Sequence, residues 1–210
     1  MTIRRRLNGI LSRQKINTIT KEVFRKSIHL CSSFIPLLLT FAYWPVITLL
    51  VLAVLLYSIC EILRLKGHTI PLITEITTAA ARKRDENKFV KGPVTLCIGI
   101  ISTALLFDPV SSAVGILALA FGDGLASLCG KLFGKVTIPF TQGKTVAGSL
   151  ACFTAIFISC TAVCSFCGIE GTGKALIIAG TGMFIEVMPL KDMDNIIIPI
   201  ALGAVFSFIA

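Results

Sequence analysis

The apolar residues of this 210-residue chain fall in successive blocks. Each block is near the length a helix needs to cross a hydrocarbon core, about 20 residues. The blocks define an all-α, polytopic integral membrane protein. A 55% hydrophobic composition and a mean hydropathy of +0.88 agree with that class. Seven spans are expected, near Lys21–Phe41, Trp44–Leu63, Gly92–Phe107, Pro109–Gly130, Lys144–Gly168, Gly173–Met188 and Met193–Ala210. The third and sixth are short for a full crossing, so their ends reach the interface.

The basic residues orient the spans. With the N-terminus in the cytosol, every one of the 20 Lys and Arg except Lys174 lies on the inside. The positive-inside bias is seldom so one-sided. The outer turns are then tight, at Ala42-Tyr43, Asp108-Pro109 and Gly168–Gly173. The reading is a cytosolic N-terminus, a C-terminus outside, a basic cytosolic segment over residues 1–20 and a single membrane-embedded domain over 21–210. No early apolar core marks a cleavable signal, so the first span serves as the insertion signal. Ile70, Ile73, Ile76 and Thr77 recur at helical spacing within Thr69–Lys88, which predicts an amphipathic helix on the membrane surface. The short loops and compact chain fit a prokaryotic plasma membrane.

Two other classes drop out. The net charge of +9 does not point to nucleic acid, because the bases flank the spans, where topology and anionic headgroups account for them. The eight cysteines all lie in or beside apolar blocks and act as small hydrophobes. Cys164-x-x-Cys167 has no second ligand pair, which argues against zinc.

On this topology the polar residues within the spans gather at one depth, on the cytosolic side. They are Arg25, Lys26 and His29 in the first span, Glu61 and Arg64 in the second, and Asn87, Lys88, Lys91 and Gly92 leading into the third. Asp123 and Lys131 follow in the fourth, then Lys144 to Ser149, Glu186, and Asp192, Asp194 and Asn195. Ionisable residues at membrane depth are expensive, about 2.5–3.5 kcal/mol near the centre, and mark functional sites. Arg and Lys suit phosphate. Asp123 and Asp194 suit Mg²⁺, which takes oxygen ligands shared with substrate phosphates. Gly143-Lys144-Thr145 opens a helix, where free N–H groups favour an anion. The set predicts metal-assisted chemistry on a polyphosphate, with a lipid as the second substrate.

Simpler readings stand beside these. Lys131, Lys135 and Lys144 serve equally as topology anchors, and His29 as a packed polar residue. Gly130-x-x-x-Gly134 reads as a helix-packing motif, Glu61 as an intrahelical partner of Arg64, Glu186 as an interhelical hydrogen-bond partner, and Asp194-Asn195 as an N-cap. Asp123, between Gly122 and Gly124 deep in an apolar span, resists such a reading. A Walker A loop is excluded, because Gly134 and Gly143 are too far apart and no strand precedes them.

Four patches resemble the CTP-dependent lipid-alcohol kinases: dolichol kinase, phytol kinase and the CTP-using diacylglycerol kinase. They are Phe24-Arg25-Lys26-Ser27-Ile28-His29; Gly122-Asp123-Gly124-Leu125-Ala126-Ser127 continuing through Gly130 to Phe133-Gly134-Lys135; Lys144-Thr145-Val146-Ala147-Gly148-Ser149; and Glu186 with Asp194-Asn195 and Pro199. In order and spacing they cover most of the chain. The resemblance implies transfer of the γ-phosphoryl of CTP, with a divalent metal such as Mg²⁺, to a lipid alcohol: diacylglycerol, phytol or a polyprenol. It implies Asp123, Lys144, Asp194, Asn195 and Glu186 as catalytic residues, with Asp123 and Asp194 on the metal. Arg25, Lys26, His29, Gly122, Gly124, Lys131, Lys135, Thr145, Gly148 and Ser149 would bind the nucleotide or headgroup. The chain is also distantly similar to phosphatidate cytidylyltransferases, the main alternative. Lys191-Asp192-Met193-Asp194-Asn195 lacks the glycines and histidine of their late motif. A small-solute transporter is the second alternative, disfavoured because the polar residues keep to one side.

Overall fold

The computed structural model describes residues 19–68, Thr77, Ala81, 88–141 and 143–210. Nearly all of the basic N-terminal segment and of the expected amphipathic surface helix lies outside the described residues. Each apolar block is helical. Helix α1 covers residues 19–31, and after a 3₁₀ turn at Ser32–Phe34 the chain continues as α2 (Ile35–Phe41) and α3 (Tyr43–Leu65). Then follow α4 (Gly92–Leu106), α5 (Pro109–Leu117), a π-helical segment (Ala118–Asp123), α6 (Gly124–Phe133), α7 (Val146–Phe166), α8 (Thr172–Val187) and, after a 3₁₀ turn at Lys191–Met193, α9 (Asp194–Ile209). Among the described residues the one β feature is an isolated bridge between Thr137 and Thr145.

Four helices are long and apolar enough to cross a membrane: Tyr43–Leu65, Pro109–Phe133, Val146–Phe166 and Lys191–Ile209. The first expected span is two helices rather than one. Pro36, in the first turn of α2, has no N–H to carry the α1 ladder onward, and the Ser33 hydroxyl donates back to the Leu30 carbonyl at 2.6 Å.

The continuous helix of α5, the π segment and α6 occupies the centre, and α7 and α9 pack against it. Ile116, Leu119, Ile156, Ile178, Leu202 and Phe206 are fully buried where these elements meet α8. By contrast α3 shows Leu49, Leu52, Leu55, Leu56 and Ile59 outward, a surface for lipid tails. Close approach of α4 to α9 depends on Gly99, where a Cβ would lie 2.1 Å from the Asn195 carbonyl oxygen.

The start of α4 is clasped by α3. Glu61, wholly buried, takes two bonds from Arg64, both 2.8 Å, and a third from the Val90 N–H at 2.9 Å. Arg64 also donates to the Lys88 carbonyl at 3.0 Å, and the Tyr57 hydroxyl to the Val90 carbonyl at 3.0 Å. The intrahelical pairing expected for Glu61 is present, and it holds a second helix as well.

Candidate functional site

Glu22, Lys26 and His29 recur at the i, i+4, i+7 spacing that puts them on one face of α1. That face is buried, with the three residues 4%, 3% and 5% exposed. It meets the π segment and α6, where Asp123, Ser127 and Lys131 repeat every fourth residue. Lys26 Nζ donates to Asp123 Oδ2, and His29 Nδ1 is 3.2 Å from the same oxygen. One turn away Glu22 accepts from Arg25, from the Ser127 hydroxyl and from Lys131 Nζ. A π turn adds one residue per helical turn, a deviation common at functional sites. Here it ends on Asp123.

A folded-back loop brings in the next group. Backbone bonds from the Ile138 N–H to the Lys144 carbonyl, 2.8 Å, and from the Val146 N–H to the Val136 carbonyl, 3.0 Å, close it. Thr145 then caps α7, its hydroxyl accepting from the Gly148 N–H at 3.2 Å. Gly148 also lets α7 approach α6, since a Cβ there would be 2.8 Å from the Ala126 carbonyl oxygen. Lys144 Nζ reaches the end of α8, 2.8 Å from Glu186 Oε1, and donates to the Glu186 carbonyl as well. That carbonyl belongs to the last turn of α8, where carbonyls lack intrahelical partners and a cation is favoured. Glu186 Oε2 is buried with no hydrogen-bond partner among the described residues.

At the start of α9, Asp194 Oδ1 accepts from the Asn195 N–H at 3.0 Å, and Asn195 Nδ2 donates to Thr95 Oγ1 at 2.9 Å. Met193, rather than Asp194, is the N-cap residue. Asn195 therefore ties α9 to the first turn of α4.

These groups surround a polar cavity of about 310 Å³. Glu22, Asp123, Glu186 and Asp194 face it together with Arg25, Lys26, Lys131 and Lys144, and Gly143, Thr145 and Gly148 complete its walls. A smaller pocket of about 40 Å³ adjoins it, sharing Arg25, Lys26, Asp123 and Asp194 and adding His29, Asp192 and Asn195. Residues up to 172 positions apart in the chain thus meet at one end of the bundle. Four expected residues stand apart. Lys135 is exposed and borders neither cavity, while Gly122 packs on Ile156, Gly124 on Leu30, and Ser149 is buried beside the cap. Glu22 was absent from the expected set, although its helical register with Lys26 and His29 marks it.

The donors suit a hard cation. Among the described residues no three His, Cys, Asp or Glu groups come close enough to hold a metal by themselves. Asp123 and Asp194 nevertheless border the same cavity, and Mg²⁺ is usually held by one or two carboxylates plus substrate phosphates. The oxygen donors fit that ion.

Fold and site define a helical protein with four helices long and apolar enough to cross a membrane and a cavity lined by charges of both signs. An uncharacterized protein of Methanocaldococcus jannaschii is 30% identical over 199 residues, 89% of this chain and 93% of the archaeal protein. The chloroplastic phytol kinase 1 of Arabidopsis thaliana is 26% identical over 92% of this chain, and the chloroplastic farnesol kinase of the same plant is 31% identical over 55% of it. The chain spans 69% of that phytol kinase and 41% of the farnesol kinase. The chain shares a family with the archaeal protein and is similar to the plant lipid-alcohol kinases. No model of a known protein family matches it. No solved structure matches it either.

Proposed function

We propose that this protein phosphorylates a membrane lipid alcohol at the cytosolic face, with CTP as donor and Mg²⁺ as the metal. The observation that carries the reading is the polar cavity, in which each cation already faces a carboxylate: Lys26 with Asp123, Lys131 and Arg25 with Glu22, and Lys144 with Glu186. A magnesium polyphosphate presents the same alternation of charge. The lysines would hold its phosphates, and Asp123 and Asp194 would hold its metal. A metal bound there would neutralise charge on the phosphates.

Phosphoryl transfer needs positioning and charge stabilisation more than covalent help. The alcohol oxygen bonds to the γ-phosphorus, the bond from that phosphorus to the β–γ bridging oxygen breaks, and CDP leaves. The hydroxyl proton passes to Asp123 or Asp194, which border both cavities. Lys144 and Lys131 hold phosphates, and Arg25 closes the nucleotide side. Asn195 and Glu186 orient their neighbours.

Seven crossings with the N-terminus inside complete the proposal. Every helical segment then has an expected span, and the cavity opens to the side that holds nucleotide. The names of the plant relatives favour an isoprenoid alcohol such as phytol, farnesol or a polyprenol. The match along nearly the whole archaeal protein favours a prokaryotic plasma membrane. The test is label transfer from [γ-³²P]CTP to a panel of lipid alcohols and phosphatidate. Labelled lipid phosphate supports the kinase. An unlabelled CDP-lipid would instead make the protein a cytidylyltransferase, and no product with CTP or ATP would exclude both.

A further inference from the structure

The smaller pocket differs from its neighbour in size and in wall chemistry. At about 40 Å³ it has room for about three water molecules. That excludes a base or a triphosphate. One wall is apolar, made by Ile28 of α1 and by Pro93 and Leu96 of α4. The polar part of the lining includes Asp192, Asp194 and Asn195. The boundary with the larger cavity is formed by Arg25, Lys26, Asp123 and Asp194.

We propose that this pocket seats the hydroxyl end of the alcohol and selects a slender primary alcohol over the branched headgroup of diacylglycerol. The inference rests on the kinase reading above. In-line transfer requires the acceptor oxygen beside the γ-phosphorus, with the two substrates on opposite sides of it. A second pocket opening onto the same four charged residues meets that requirement. Its volume matches a hydroxymethyl group with the next carbon or two. Its apolar wall suits the start of a hydrocarbon chain, and its polar wall suits the hydroxyl. A glycerol carbon bearing an acyl ester is too wide. Asn195 keeps the polar wall in place through Thr95, and the Glu61 clasp fixes the start of α4 that forms the apolar one.

The experiment compares the full-length protein with Leu96→Phe, Ile28→Phe and Leu96→Ala in detergent with added lipid. Labelled CTP is the donor, and phytol, farnesol and dioleoylglycerol are the acceptors. The filling variants should raise KM for phytol and farnesol by about tenfold and leave KM for CTP within about twofold. The widened Leu96→Ala should shift preference toward dioleoylglycerol by about fivefold. Ile28 is half-buried, so Ile28→Phe decides alone if Leu96→Phe does not fold. Filling variants that melt like the parent but leave the alcohol KM unchanged, or that raise the CTP KM instead, overturn the assignment. A parent protein that labels no alcohol removes the kinase reading itself, which is a distinct failure.

Discussion

Lys144, just before α7, lies against Glu186 at the end of α8, bonded to both its carboxylate and its carbonyl. A cation that only marked topology would point into solvent. This one closes a wall of the polar cavity and satisfies a helix end. Lys144→Met should leave the Glu186 carboxylate without its cation and lower stability by about 1–3 kcal/mol. With the phosphate contact also lost, kcat/KM for CTP should fall about 100-fold. Thermal melting and CTP titration separate the two effects, and an unchanged CTP dependence would remove Lys144 from the nucleotide site.

Asp123→Asn keeps the shape and one acceptor oxygen but removes the charge facing Lys26 and His29. Turnover should drop by about a thousandfold while the protein still purifies as a folded species. Label transfer and size-exclusion profiles check this. An active Asp123→Asn would contradict the role given to this carboxylate.

Chelation with EDTA should abolish label transfer, and added Mg²⁺ should restore it. The melting temperature should hardly move, because lysines balance most cavity carboxylates without metal. A large loss of stability on chelation would indicate a structural metal instead.

Glu61→Gln breaks a buried pair and weakens the hold on Val90. The expected loss is about 3 kcal/mol, typical of removing one partner of a buried ion pair. Denaturation in mild detergent gives the number. The same variant should raise the alcohol KM, because α4 starts two residues after Val90.

At the other end of the bundle, Asp108 caps α5 with bonds from the Val110 and Ser111 N–H groups at 3.0 and 3.1 Å. Asp108→Ala should lower stability by about 1 kcal/mol. Partial burial raises the Asp108 pKa, but the bonds from Ser111 and Val110 outweigh it and hold the carboxyl below its ordinary range. The capping contribution is therefore complete above the ordinary aspartate pKa and is lost as pH falls through the lowered value. The group is largely exposed, so the acid effect is small. Melting of parent and variant should converge at low pH.

Much of this arrangement is legible in the chain, because membrane helices announce themselves by length and their charges by exclusion. Asp123, Lys144, Asp194 and Asn195 stood out as polar groups in apolar surroundings, and the structure places them around adjoining cavities. Glu22 did not stand out. It sits beside a run of basic residues, and its burial follows from the face α1 turns toward α6. The glycines beside Asp123 looked like ligand contacts but serve helix packing, because close approach and ligand access call for the same residue. The π turn left no mark in composition, since Ala118–Phe121, where it begins, reads like any apolar stretch.

That turn has a mechanical consequence. It separates the phase of the helix into two independently set parts. The N-terminal part aims Val114 and Ile116 at the core, and the C-terminal part aims Ser127 and Lys131 at Glu22. Relaxing the segment to an ordinary α-helix with all its residues kept would rotate one part against the other by about 100°. The span would survive with its length and hydropathy nearly unchanged. Its two faces would no longer belong to the same protein, one packed and the other pointing its charges into lipid.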